Sequence, residues 1–408
     1  MSASTAEASI RRRAPALDVA VVGGGMVGAA AALALARAGF TTALLEARAP
    51  RPWSVGDEVD LRVVGLAPSS LALLNDLGVW TSIRDARASP YAHMHVWDTE
   101  NGAAIDFDAA SEGRDLLGYI VENNLVQWTL WQALEAAGVR RLCPAEVRAF
   151  DVPSVDGRAD RIQIELADGE TLAARLLVAA DGAGSPLRQL AGIATHGRDY
   201  AQRAVVAHVS TERPHEGTAW QRFLASGPLA LLPLADGRSS LVWSLPEAEA
   251  QRVLALDDQA FLDELGFASD FRLGHITATT SRAAFPLKLQ LAKQYQAERL
   301  VLLGDAAHAV HPLAGQGVNL GLRDVVELRD SLIAARDAGR DIGAEHVLRR
   351  YARRRRSADT LDALGFDALA RIYAGQSPAW VATRGLGVRL LDRLAPLKRR
   401  LAEHAAGL

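Results

Sequence analysis

The sequence predicts an α/β fold in which a nucleotide-binding domain carries an inserted β-sheet domain and is followed by a C-terminal helical region. Three observations predict it. A buried-strand run, Leu17 to Val22, leads through Gly23-x-Gly25-x-x-Gly28 into an alanine-rich helix, and Glu46 ends the next strand 23 positions after Gly23. Short alternating runs fill 89–111 and 196–285, broken by Asn101-Gly102 and Asp236-Gly237, both strong hairpin turns. Beyond Gly339 only helical periodicity remains.

Composition bounds what the chain does. It has 408 residues, 49% of them hydrophobic and 23% charged, enough for two globular domains. The one cysteine, Cys143, excludes an internal disulfide and suits a reducing compartment. With Pro144 beside it and no activating neighbour, it reads as a small hydrophobe. No apolar run approaches the ~18–20 residues of a membrane-spanning helix. Residues 1–16 contain Arg11, Arg12 and Arg13 but no apolar stretch, so they read as a disordered leader rather than a secretory signal. The net charge of −3 offers no electrostatic reason for nucleic acid, yet it hides an asymmetry. Residues 331–408 hold 15 Lys+Arg against 8 Asp+Glu, a balance of +7 on a body of −10.

In chain order, the glycine turn comes first. Between a strand and a helix, Gly-x-Gly-x-x-Gly marks a Rossmann-type unit: Gly23 makes the turn, Gly25 lets a pyrophosphate approach, and Gly28 allows the helix to pack on the strand. Glu46 is placed to bind ribose hydroxyls, with Arg48 just beyond it. The motif does not separate FAD from NAD. A helix is expected over Ser69 to Leu77, preceded by Arg62, and a hairpin over Tyr91 to Phe107. Gly118 to Leu134 reads as helical, with Asn123 and Gln127 on one face. Trp128 and Trp131 read as core. Arg161 to Val178 gives strands around Ala167-Asp168-Gly169. The run Leu176 to Arg188 ends a strand in Asp181-Gly182, then Ser185 and Arg188. From Ala204 to Leu245 four strands follow. Phe223, Leu231, Leu232, Trp243 and Phe285 are candidates for an apolar pocket wall, although alternation does not tell a wall from a core. His208 and His275 read as surface or strand residues.

Residues 299–324 carry the most chemistry. Leu300 to Leu303 is a short strand stopped by Gly304-Asp305. A loop with Pro312, Gly315 and Gly317 follows, then a helix from near Val318 to a stop at Gly339. Unpaired amides at a helix start favour an anion or an electron-rich oxygen. Gly315 and Gly317 leave the backbone bare for a flat ring, and Asp305 can accept from hydroxyls. An ordinary strand–loop–helix turn would read the same way.

The stretch His311-Pro312-Leu313-Ala314-Gly315-Gln316-Gly317-x-Asn319-x-Gly321-x-x-Asp324 resembles the signature of the ubiquinone-biosynthesis flavin hydroxylases, the UbiI/UbiF/UbiH group, built like p-hydroxybenzoate hydroxylase. Together with the two earlier motifs, in order, the resemblance spans nearly the whole chain. Gly184 stands where the family more often has Asn. Arg87-Ala88-Ser89-Pro90-Tyr91, Leu241 to Leu245 and Gly339 to Gly343 look most like the UbiI type.

The resemblance implies FAD, held by Gly23, Gly25, Met26, Val27, Gly28, Glu46, Arg48, Arg62, Asn123, Gln127, Asp181, Gly182, Gly304, Asp305, Pro312, Gly315, Gln316, Gly317, Val318 and Asn319. It ties Arg188 to its loop and to the electron donor. The FAD-binding domain is expected over 17–88, 112–195 and 286–340, the substrate domain over 89–111 and 196–285, and helices over 341–408. The activity implied is hydroxylation of a polyprenylated phenol or quinol by O₂ through a flavin hydroperoxide, inside a dry pocket. NAD(P)H, binding transiently for want of a second nucleotide fold, or a partner protein supplies the electrons. The Pro312 carbonyl would face the substrate. His311 is the nearest histidine for deprotonating a phenol, with His308 a structural loop histidine. No metal-ligand spacing is present. The expected setting is cytoplasmic, peripheral at the inner face of the membrane through the basic C-terminal region, in an assembly of biosynthetic proteins. A hydroxylase of a soluble aromatic, or a non-catalytic FAD-binding assembly component, are the other readings.

Overall fold

The computed structural model describes residues 16–98, 102–153, 160–310, 316–374 and 377–407. Its central sheet runs in the order Gln296–Ala297, Leu300–Leu302, Thr171–Ala179, Leu17–Val22, Thr42–Leu45, Arg140–Leu142, and the last five strands are parallel. Buried on both faces, these strands are continuous Val/Leu/Ala runs rather than alternating ones. Val21 stands beside Val178, and Val178 beside Val301. The helices Asn123–Ala136 and Gln316–Asp337 both pack against Met26–Arg37, and the fully buried alanines of the last let them approach closely. Trp131 is buried in this core and Trp128 packs against it.

A second sheet of nine strands is antiparallel except at one pair. The hairpin His93–Asp98/Ala104–Asp108 joins it through a parallel pairing with Thr218–Leu224, so this hairpin and the 196–285 segment share one sheet. Helices Glu247–Ala255 and Asp258–Ala268 cover its outer face over Leu229, Leu231, Leu241, Trp243 and Leu245.

Three expectations need correction. Gly118–Glu122 is a strand, paired with Val63–Leu66 and Ser89–Tyr91 in a third small sheet, and the helix begins only at Asn123. A short apolar run fits either state, and here tertiary pairing decides. The boundary expected at 286 falls inside a strand, because Ala283–Ala292 stays paired with Thr195–Thr211 from Val206 back to Thr195. The helical region expected over 341–408 opens on one helix of 30 residues, Glu345–Ala374. His208 lies in a strand as expected but is fully buried. Its Nε2 is 3.0 Å from the Asp60 carbonyl, which fixes the proton on that nitrogen, and burial pushes its pKa down.

The C-terminal region is packed onto the body. The 30-residue helix touches both sheets, Pro378–Arg393 crosses the strand Ala104–Asp108, and Ala395–Ala406 returns so that Arg323 donates to the His404 carbonyl at 3.2 Å. No helix among the described residues is long and apolar enough to cross a membrane.

Candidate functional site

Because Leu300–Leu302, Thr171–Ala179 and Leu17–Val22 are adjacent parallel strands, the turns after them meet at one edge. Gly23 has φ +103°, and a Cβ there would sit 2.3 Å from the Ala180 oxygen of the neighbouring turn. A Cβ on Gly28 would sit 1.9 Å from the Gly23 oxygen. Val27 presses its methyls toward Gly304 and Gly321, where an added Cβ would lie 3.2 and 2.5 Å away. The three motifs are thus bound together by contacts only glycine permits. Gly25 differs: its backbone is extended (φ −66°, ψ 176°), and a Cβ there meets nothing within 4 Å. The same open space lies over Gly317 at the start of its helix. These bare amides at two helix starts form an anion-favouring crevice at the strand ends.

The other expected residues fall into two groups. Some are used inside the protein. Glu46 accepts the Gly24 N–H and, at 2.9 Å, the Arg48 N–H; the Arg48 side chain is exposed. Gln127 donates to the Gly24 carbonyl at 2.8 Å and so braces the first turn. Asp181 accepts from the Ser185 hydroxyl at 2.5 Å and the Leu187 N–H at 3.0 Å, so it braces Ser185, the cap of the helix Pro186–Leu190; Gly182 follows at φ +85°. Arg188 donates to the carbonyls of Ala306 (2.9 Å) and Ala183 (2.8 Å) and is buried, so it ties two of the turns together and has no free face for an electron donor. The Asn319 side chain is fully buried, accepting from Ala67 N–H and the Ser70 hydroxyl and donating to the Gly65 carbonyl; only its backbone remains for a ligand. Met26 and Val318 are half-buried.

The second group is open to solvent or lacks an internal partner. Asp305 is exposed, yet the protein packed around it pushes its carboxyl pKa up, against the opposing charges of His308 and Arg62. Arg62 stands over the Phe285 ring at 5.4 Å, and its carbonyl accepts the Asn123 N–H at 2.9 Å. The Asn123 Oδ1 is buried with no partner among the described residues. A buried acceptor without a donor marks a place for one from outside. Asn123→Leu is therefore expected to leave the urea midpoint of the flavin-free chain unchanged and to weaken flavin binding about tenfold, measured by fluorescence titration. An equal loss of stability would assign Asn123 to the core. Of the expected pocket wall, Leu231 and Trp243 lie in the outer core and Phe223 packs under Val388, while Leu232 is half-buried and Phe285 is exposed under Arg62. His311, Pro312 and Gly315 lie outside the described residues, as does the Gln316 side chain.

Behind the crevice is a cluster that sequence reasoning missed. His308 Nε2 is 2.7 Å from Asp324 Oδ2 and 3.5 Å from Asp359 Oδ2. Arg355 reaches Asp324 Oδ1 at 2.5 Å and also pairs with Asp359. All four side chains are buried. Burial alone would lower the His308 pKa, but Asp324 and Asp359 more than offset it and hold it at about 9. Burial works to raise the Asp324 carboxyl, while His308 and Arg355 hold it below the usual range. Although His308, Asp324 and Asp359 bring three metal-ligating atoms together, two cations already balance the two carboxylates. Asp324 Oδ2 also accepts the Gly304 N–H at 2.8 Å, so the cluster holds the Gly304-Asp305 turn in place.

Comparison with known proteins agrees with this geometry. The family model described as "FAD binding domain" matches residues 16–361. The chain is 39% identical to the 3-demethoxyubiquinol 3-hydroxylase of Escherichia coli (strain K12), over 96% of this chain and 98% of that one. It is 36% identical to the mitochondrial ubiquinone biosynthesis monooxygenase COQ6 of Mus musculus (95% and 90%) and to the ubiquinone hydroxylase UbiL of Rhodospirillum rubrum (96% and 89%). The p-nitrophenol 4-monooxygenase PnpA of Pseudomonas putida DLL-E4 shares the fold, with a TM-score of 0.74 at 21% identity over 95% of this chain and 96% of that one. A family model over most of the chain and end-to-end relatedness place the chain in the FAD-binding-domain family, among the FAD-dependent monooxygenases of ubiquinone biosynthesis.

Proposed function

We propose that the chain hydroxylates the aromatic ring of a polyprenylated phenol or quinol of ubiquinone biosynthesis, with NAD(P)H or a partner protein as electron donor, at the inner face of a membrane and among other enzymes of that pathway. The observation that carries this is identity over nearly the full length of both chains with three hydroxylases named for ubiquinone chemistry. Bound FAD would supply the activation of O₂. The chain's own residues do the rest. The amides around Gly25 and Gly317 receive negative charge, Asp305 accepts from hydroxyls, and Asn123 offers its unpartnered oxygen. Phe285 and the inner face of the second sheet keep water from the ring.

His308 is not the base for a phenol, because it is buried, paired and protonated at neutral pH. That leaves His311 as the proposed base, with the Pro312 carbonyl on the substrate side. The test is to express the chain in bacterial strains that each lack one ubiquinone-ring hydroxylase and to identify their quinones by mass spectrometry. Restored ubiquinone in one strain is expected and gives the ring position; the local resemblance to the UbiI type favours the strain lacking that enzyme. No rescue by a folded, flavin-loaded chain would overturn the proposal.

A further inference from the structure

The helix Pro378–Arg393 is seated with its faces exchanged. Arg384 points inward, and its guanidinium grips both oxygens of the buried Asp98 at 2.6 and 3.0 Å. Val388, one turn on, packs against Val96, Ile105 and Phe223 of the second sheet. These contacts fix which face is left outside. On it, Leu386, Leu390 and Leu394 are 67, 56 and 43% exposed. Spaced by four residues, they form one stripe along the helix. The neighbouring Ala382, Thr383 and Gly387 are exposed and uncharged. Arg389 is exposed at the edge of the stripe and Arg400 just past its end in the chain, and neither has an acidic partner among the described residues. The nearby Lys398 and Arg399 are taken, by Asp392 at 2.8 Å and Glu403 at 2.9 Å.

We infer that this face of Pro378–Arg393 seats on an anionic lipid surface. Three exposed leucines rimmed by unpaired arginines complement a surface that is apolar within and negatively charged at its edge. The leucines enter the acyl boundary while Arg389 and Arg400 stay at headgroup level. The buried Arg384–Asp98 pair keeps the leucines turned outward, because rolling them in would bury a second set of apolar groups only by stranding Asp98. The inference rests on the proposed polyprenylated substrate. The preceding helix touches Thr218–Leu224 and Gly227–Pro233, so the docked face adjoins the sheet that would receive the ring.

The test is flotation of the full-length FAD-loaded chain with phosphatidylcholine vesicles, with and without phosphatidylglycerol. The wild-type chain is expected to float with the anionic vesicles. The triple variant Leu386→Gln/Leu390→Gln/Leu394→Gln should bind about 100-fold more weakly, and Arg389→Glu/Arg400→Glu at least about tenfold more weakly on anionic vesicles alone. All five changes replace exposed side chains, so both variants should keep full flavin content. A triple variant that floats like the wild type overturns the inference. So does a wild-type chain that ignores vesicles, including one that self-associates through the stripe. Turnover of a short-tailed soluble quinol is followed in the same samples. If turnover persists without flotation, the lipid surface falls and the substrate proposal stands. If flotation persists while no polyprenylated ring is oxygenated, the substrate proposal falls and the surface stands.

Discussion

Arg355→Leu is expected to destabilise the folded chain by about 3–5 kcal/mol, because it leaves Asp324 and Asp359 buried with only His308 between them. The urea midpoint should fall, and flavin content with it, since Asp324 also receives the Gly304 N–H that shapes the turn carrying Asp305. Adding Asp359→Asn should recover part of the loss by removing one of the stranded charges. A midpoint unchanged in Arg355→Leu would show that the cluster is hydrated and contributes little.

The same cluster predicts a pH dependence with a definite sign. The His308 pKa is raised from 6.5 to about 9 on folding. Its contribution is therefore fully present below about pH 6.5 and is lost as pH rises through about 9, by an amount of the order of 3 kcal/mol. Asp324, held low, acts in the opposite direction, and its contribution fades only as pH falls below the ordinary carboxylate range. The difference between wild type and His308→Gln, measured as urea midpoints across the alkaline range, isolates the histidine. A constant difference across that range would mean that His308 is neutral in the folded state.

That cluster also marks how far the sequence could be read. The glycine turns were legible because their constraints are local: a turn, a close approach and a helix start are all written within six residues, Gly23 to Gly28. Arg355 was hidden among Arg353, Arg354 and Arg356, four identical side chains of which helix phase admits one. A signal was there, since the buried stripe Leu348, Tyr351, Ala352 continues at the same spacing into Arg355 and Asp359. Following apolar residues alone stops that stripe one turn early. Arg384 had no such signal, because its partner Asp98 is 286 positions away. The basic, leucine-rich helix was visible; which way it faced was decided by one acid on a distant strand. Ser185-Pro186, a cap followed by proline, marks the helix start that engages Asp181.

The second large effect separates two glycines three positions apart. Gly28→Val should be incompatible with the native fold, since its Cβ would lie 1.9 Å from the Gly23 backbone oxygen and no rotamer relieves a backbone contact. A cost above about 4 kcal/mol is expected, seen as loss of soluble folded protein. Gly25→Val meets neither obstacle. The backbone there is in a region open to any residue, and the first atom of the new side chain touches nothing within 4 Å. Replacing glycine at such a position restricts the unfolded chain, so flavin-free stability should stay level or rise by about 0.4–1 kcal/mol. Flavin affinity should nevertheless fall by at least about 100-fold, because the valine fills the open space over the amides at that helix start. The pair is read by flavin-to-protein ratio beside the denaturation midpoint. A folded, colourless Gly25→Val chain means that glycine is kept at position 25 for the ligand and at position 28 for the fold. A fully yellow Gly25→Val chain would move the pyrophosphate elsewhere, and the amides around Gly317 would then be the crevice's remaining anion site.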